Sequence, residues 1–313
     1  MDLRLLAWPE WSALASGRRE EVARAVAAEL PVPFAFAGLH ACELDGRTHE
    51  AALFNWEDAA FALVPGGEVT LGYDREHPFA PTDGQRREWA SDRREQGLPA
   101  LDEYLADRLT PLRTVSLQPF LLEVEATPSL RSVPVDAPWL LAEGRRLQPG
   151  EIRELTDAQT GRNIWLAVDE QGRLLAAEDR PLFHHEALSA VAREGLRLPT
   201  SDEWEHACAA GARTLFRWGD DCPAGEYPSE IGDSVWDLHR RPNLLGLHIA
   251  HDPYHWEVCA EPGVMRGGDG GKSTCWASGC FSAWIALASA YVQRRNPAQL
   301  IYGAYLRRAL SLD

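Results

Sequence analysis

Residues 195–220 read G-L-R-L-P-T-S-D-E-W-E-H-A-C-A-A-G-A-R-T-L-F-R-W-G-D, and the local chemistry of this stretch is legible residue by residue. Pro199 stops whatever precedes it, and Thr200 is the residue type that caps a helix N-terminus. Glu203, three positions on, completes a T-x-x-E capping box in which hydroxyl and carboxylate satisfy orphan backbone donors reciprocally. Trp204, Ala207 and Cys208 follow at one-face helical spacing, and Gly211 is placed to end a helix of about three turns.

Around this anchor, 313 residues are enough for one large or two small domains. Lys and Arg number 31 against 47 Asp and Glu, a net charge of −16, and the basic residues form no long stripe. Neither a nucleic-acid backbone nor an anionic membrane surface is therefore expected as a partner. Twelve Trp suggest a loop-rich fold whose irregular segments are pinned by large aromatic side chains. The opening M-D-L-R-L-L-A-W-P-E-W lacks a basic region followed by a long apolar run, and no window reaches the eighteen or so apolar residues of a membrane span. A soluble, cytoplasmic protein is expected. Its six cysteines (Cys42, Cys208, Cys222, Cys259, Cys275, Cys280) are then mostly reduced thiols, whereas in a secreted protein Cys208 and Cys222 could bridge.

In chain order, 16–30 places Val22, Val26, Ala27 and Leu30 at helical spacing, which predicts a surface helix ended by Pro31 and Pro33. The stretch 34–61 alternates loosely enough for two or three short strands, and 62–74 reads as two β-type runs around a Pro-Gly-Gly turn. Residues 75–108 are charged and carry three Pro, which predicts a surface excursion with at most a short helix near 101–109. Both 111–128 and 129–179 read as β-rich, the second with a hairpin around Glu170, Gln171 and Gly172, and 186–194 reads as a helix. His184 with His185, and His248, His251, His255, Glu257 and Cys259, tempt a metal reading. The first pair lacks a third ligand and Pro253 breaks any regular element through the second group, so hydrogen-bonded structural roles are the better reading.

The chemistry concentrates in 267–290, G-G-D-G-G-K-S-T-C-W-A-S-G-C-F-S-A-W-I-A-L-A-S-A, where Cys275 and Cys280 form C-x4-C. Residues five apart diverge on a strand and on a helix, so only a turn, such as one at Ser278 and Gly279, brings the sulfurs together. Two converging thiolates suit a soft monovalent ion, Cu(I) above all. Two small buried thiols, or one disulfide, are the alternatives.

These motifs resemble the formylglycine-generating enzyme superfamily, whose pattern runs R-L-P-T-x-x-E-W-E-x-A-x-x-G-G and then P-W-G-D/N. Arg197, Leu198, Pro199, Thr200, Glu203, Trp204, Glu205, Ala207, Gly211, Trp218, Gly219 and Asp220 fall on it. A second family pattern, P-N-x-x-G-L-x-D-M-x-G-N-V-W-E-W … V-x-R-G-G, is met with one insertion by Pro242, Asn243, Gly246, Leu247, Trp256, Glu257, Arg266, Gly267 and Gly268. The resemblance extends in order from about Ala62 to Leu312. It implies an α+β, C-type-lectin-like fold, loop-rich with little regular secondary structure, over 61–313, with 1–60 as an N-terminal extension.

The resemblance further implies that Cys275 and Cys280 are catalytic and bind copper. They would oxidise a peptide or small-molecule thiol with O2, Cys to Cα-formylglycine or a related oxidation. Asp269, Ser273 and Trp276 would line the substrate groove, Asp269 standing where the family has Ser. The family's N-V-W-E segment helps hold a calcium ion, and of it Glu257 carries over as a calcium ligand while Tyr254 replaces the Asn. After its second Cys the family continues C-Y-R-Y-R-x-A-A-R-S, against C-F-S-A-W-I-A-L-A-S here, so every Arg is gone. The alternative is a non-catalytic C-type-lectin-like scaffold that binds a protein ligand, with 276–291 as a binding face or a buried strand. A third reading, the iron-dependent sulfoxide synthases of the same fold, needs a helical domain with His ligands, and only His40 and His49 precede the family-like region.

Overall fold

The computed structural model describes residues 3–30, 33–157, 160, 163–229, 236–275 and 279–312, with Cys275 through its backbone alone. Helices α1 (Trp8–Ala13) and α2 (Ser16–Glu29) lead into β1 (Ala35–Leu44), β2 (Arg47–Trp56), β3 (Ala59–Val64) and β4 (Gly67–Leu71). Then come α3 (Asp83–Gln96), α4 (Leu101–Arg108), β5 (Arg113–Leu117), β6 (Phe120–Glu123) and β7 (Thr127–Pro128). The middle holds β8 (Leu130–Ser132), α5 (Pro138–Gly144), β9 (Ile152–Thr156), β10 (Asn163–Val168) and β11 (Leu174–Asp179). It is followed by α6 (His184–Ala192) and α7 (Ser201–Ala209). The last part is β12 (Trp256–Val258), β13 (Val264–Arg266), α8 (Lys272–Cys275), α9 (Cys280–Ile285), β14 (Gln293–Arg294), β15 (Ala304–Leu306) and β16 (Ala309–Ser311). This is an α+β, loop-rich fold.

One antiparallel sheet, β1-β2-β3-β6-β16, brings the closing strand beside early ones: β16 sets Leu310 opposite Leu121 of β6, and β6 pairs in turn with β3. The stretch expected to hold short strands forms ten-residue arms in β1 and β2, so residues 35–56 extend the sheet that the closing strand completes. Asp45 and Gly46, both at positive φ, supply the left-handed pair that a two-residue hairpin turn demands. A second sheet runs β14-β13-β12-β15-β7, with β12 and β15 parallel. The third, β8-β11-β10-β9, includes the predicted hairpin at Gly172 and has its own small core around Leu140, Ile164 and Leu166.

The capping box forms as read: Thr200 Oγ1 accepts from the Glu203 N–H, and the Glu203 carboxylate accepts from the Thr200 N–H at 2.8 Å. Helix α7 ends one residue early, at a left-handed Ala210 that precedes the left-handed Gly211. Two elements depart from the sequence reading. The excursion 75–108 contains α3, fourteen residues long and opened by a second capping box, Thr82 with Gln85. The run beginning at Phe281 contains a helix rather than a strand, because a segment apolar on every side carries no period by which the two could be told apart.

Candidate functional site

The signature residues meet in one buried network. Arg307 donates through Nε and Nη2 to the two oxygens of Glu257, at 2.6 and 2.7 Å, and Trp204 Nε1 donates to the same Oε2 at 2.6 Å. Arg266 donates to Glu205 at 2.7 Å and to Ser201 Oγ at 2.8 Å, and Arg197 forks onto both oxygens of Glu203. Thr110 and Arg113 reach the same Glu205 oxygen from the other side. The Arg266 and Arg307 side chains have no exposed surface, a position that charge tolerates only with such charge-assisted pairing, bidentate in the case of Arg307. The motif therefore locks together α7, β12, β13 and the segment after β15. Both oxygens of Glu257, the expected calcium ligand, are engaged by Arg307 and Trp204.

The histidines are structural. Buried His184 bonds the Cys259 carbonyl at 2.9 Å, while exposed His185 stacks on Phe183. His255 stacks on Tyr305 with centroids 4.0 Å apart and meets the His251 ring edge-on. Burial drives His251 down to about 2, with the neighbouring His255 adding to the effect. No group of three or more His, Cys, Asp or Glu able to hold a metal occurs among the described residues.

The cysteines divide. Cys42, Cys208, Cys222 and Cys259 are separate buried thiols. Burial pushes Cys208 up to about 11 and Cys222 up to about 12, and raises Cys259 further. Cys280 is only partly buried and opens α9, whereas Cys275 closes α8. The turn expected at Ser278 lies outside the described residues. Trp276 and the side chain of Cys275 lie outside the described residues.

Asp269 and Ser273, expected in a substrate groove, are buried and bonded to each other. Asp269 Oδ2 accepts from the Ser273 N–H at 2.8 Å and from its hydroxyl at 2.5 Å, and the Tyr104 hydroxyl meets Ser273 from α4. Together they brace the short helix that ends in Cys275. The other support comes from α3. Asp92 presses on Gly279, where a Cβ would fall inside its carboxylate, and its Oδ2 has no hydrogen-bond partner among the described residues. Burial, then nearby Glu95, lifts Asp92 to about 6. One turn earlier Glu88 accepts from the Gly225 N–H, and burial, then Asp92, lifts it to about 7. Trp89 and Phe79 pack against Phe281, the neighbour of Cys280, with centroids 6.3 and 6.1 Å away.

On the outer side of α3 a cavity of about 840 Å³ is lined by Phe79, Trp89, Leu101, Arg86, Arg93 and Arg94, among others. A separate cavity of about 590 Å³ lies by Trp165, His255 and Tyr305. The floor of the first, Phe79 and Trp89, packs on buried Phe281, the residue after Cys280. Nothing in the sequence reading had pointed to α3, although T-D-G-Q at 82–85 is a capping-box signal.

No family model matches the chain. Over 79 residues, 23% of this chain, it is 40% identical to hercynine oxygenase from Mycolicibacterium smegmatis, and over the same length 37% identical to hercynine oxygenase from Mycolicibacterium thermoresistibile. The chain spans 17% of the length of these curated relatives. PvdO from Pseudomonas aeruginosa is a structural neighbour at 15% identity and a TM-score of 0.45, covering 83% of this chain and 98% of its own. No helix among the described residues is long and apolar enough to cross a membrane. The curated relatives matched over part of the chain are hercynine oxygenases, and the residues that carry the resemblance to the formylglycine-generating enzyme superfamily interlock in this structure.

Proposed function

We propose that this chain is a formylglycine-generating-enzyme-like oxidase. It uses dioxygen to oxidise the thiol-bearing carbon of a peptide or small molecule, with Cys275 and Cys280 as its working pair. One observation carries the reading: among the described cysteine side chains Cys280 alone is left partly open, while the others are sealed in the core. Two thiols are the donors a soft Cu(I) takes, whereas calcium prefers oxygen ligands and structural zinc takes four. Cys275 and Cys280 would hold the copper, and bound there it supplies the activation of dioxygen.

The rest is the work of the chain. Asp269 and Ser273 fix the turn that delivers Cys275, and Asp92 against Gly279 sets the start of α9 at Cys280. Phe281 and Trp284, both without exposed surface, exclude water from below. A reducing, cytoplasmic compartment belongs to this proposal, since it keeps the thiols unpaired.

A scaffold that binds a protein ligand without chemistry is the second reading, favoured by the absence of Arg from 276–291. Titration of reduced protein with Cu(I) against a competing chelator separates the two. One-to-one binding that vanishes in the Cys275→Ala, Cys280→Ala double variant is the expected outcome, followed by oxygen consumption with thiol peptides. Equal, weak uptake by both proteins would leave the scaffold.

A further inference from the structure

We infer that the cavity by Trp165, His255 and Tyr305 is a binding site for a small aliphatic polyamine, separate from the cysteine pair and independent of the oxidase reading. The cavity, of about 590 Å³, is bounded by Trp165 of the third sheet and by Tyr305 and Thr127 of the second. On β10, Ile164 and Leu166 enter the small core, so Trp165 between them takes the opposite face. Its cross-strand partner Glu154 shares that face. So does Asp179, two positions beyond the Ala177 that pairs with Trp165 on the other side.

The rings give the hollow its walls, and the carboxylates give it a sign. Tyr305 and His255 stack with centroids 4.0 Å apart, and Trp165 joins them on the lining. Asp58 and Glu125 line it as well, and Asp252 stands 3.7 Å from the His255 ring. Burial, then Asp252, Glu154, Asp179 and Glu125, raises Tyr305, so four carboxylates act on one phenol. Burial, then Asp179 and Asp252, likewise raises Glu154. Apart from the His255 imidazole, which burial lowers, the cation on the described lining is Arg308, already committed to Glu123 and Glu194. Among the described residues no Lys, Arg or His forms an ion pair with Asp58, Glu125, Glu154 or Asp179.

Like charges gathered beside half-buried rings repel one another, and a ligand that brings positive charge relieves them. Aromatic faces attract ammonium groups and accept the methylenes between them. No three of the described His, Cys, Asp and Glu residues converge closely enough to hold a metal ion, so the negative charge is spread along the hollow rather than focused at a point. A single ammonium would leave most of these carboxylates uncompensated. A polyamine spaces two or three charges along a flexible chain, and the volume is that of a small-ligand site.

The test is isothermal titration calorimetry of the full, reduced chain in metal-free buffer, with spermidine, butylamine and calcium chloride as probes. Spermidine should bind one-to-one and at least about tenfold more tightly than butylamine, the difference shrinking as salt is raised. Asp58→Asn, Glu125→Gln should weaken spermidine about tenfold, and Trp165→Leu should weaken it about fivefold by removing a ring face. Asp58 and Glu125 are exposed, so the double variant should keep the wild-type circular dichroism. Glu10→Gln, Glu170→Gln takes the same charge from exposed positions outside the lining and should leave spermidine binding unchanged. Equal losses in the two double variants would mean that spermidine answers to the net charge of −16 alone, and would overturn the inference. So would the lack of saturable spermidine binding, or calcium that binds more tightly and displaces spermidine, which would give the hollow to a metal ion. Spermidine binding by a chain that takes up no Cu(I) would support this site while sinking the oxidase.

Discussion

Glu257 and Asp92 are both buried carboxylates, 3% and 8% exposed, and they lie in opposite circumstances. Glu257 is held by a guanidinium fork and an indole N–H, and every oxygen has its donor. Asp92 meets the backbone of Gly279, keeps an oxygen with no partner, and has a second carboxyl one turn away in Glu88. The contrast separates residues that hold this fold together from residues that hold one segment of it in place at a cost. Buried polar groups left unsatisfied are expensive, and they persist where a local arrangement needs them. Here that arrangement is the start of α9, where Cys280 stands.

The largest effect should come from breaking the satisfied side. Arg307→Met leaves Glu257 as a buried charge without its counterion, and the loss of unfolding free energy should be about 3–5 kcal/mol, measured by urea denaturation. Adding Glu257→Gln should recover a large part, because the uncompensated charge is then gone. A single-variant loss below about 1 kcal/mol would mean that the network is not what holds the fold.

Part of that network was legible in the sequence. R-L-P-T-S-D-E-W-E pairs a cap with its reciprocal acid within four residues, whereas Glu257 was read as a calcium ligand and its pairing with Arg307 joins positions far apart in the chain. The spacing of Cys275 and Cys280 marks where α8 ends and α9 begins, while the turn expected at Ser278 lies outside the described residues. What surrounds them was not legible. The contact of Asp92 with Gly279 joins positions far apart in the chain, so no local period marks it. Helix α3 hid because its charges encircle most of it around one buried Trp, leaving no apolar stripe. The β1–β2 arms were underestimated although Asp45-Gly46 is a strong hairpin signal.

A smaller effect is expected at the strained contact itself. Gly279 holds φ 104 and ψ 155, a region that side-chain-bearing residues avoid, and its Cα faces the Asp92 carboxylate. Gly279→Ala should cost about 1–3 kcal/mol of stability and weaken Cu(I) uptake by displacing Cys280. Asp92→Ala in the same chain should restore the part due to collision and leave the part due to the dihedral. Full restoration would show that backbone strain has no share; no restoration would show that Asp92 does not press on the turn.

The smallest effect is the pH response of the unsatisfied side, and its sign sharpens the contrast. Asp92 is lifted from 3.8 to about 6, and Glu88 from 4.5 to about 7, burial being the main cause of each. A carboxyl raised in the folded state binds its proton more tightly folded than unfolded. The resulting stabilisation is complete below 3.8 and 4.5 respectively, and is lost as pH climbs through about 6 and about 7. Wild-type protein should therefore lose stability across this window, beyond what its other groups impose. Glu88→Gln, Asp92→Asn has nothing to ionise at these positions, so its denaturation midpoint should hold steadier as pH rises and exceed the wild-type midpoint above pH 7. Parallel curves for the two proteins would mean that both carboxyls are solvated enough to ionise freely. The pressure of α3 on the Cys280 turn would then be steric alone.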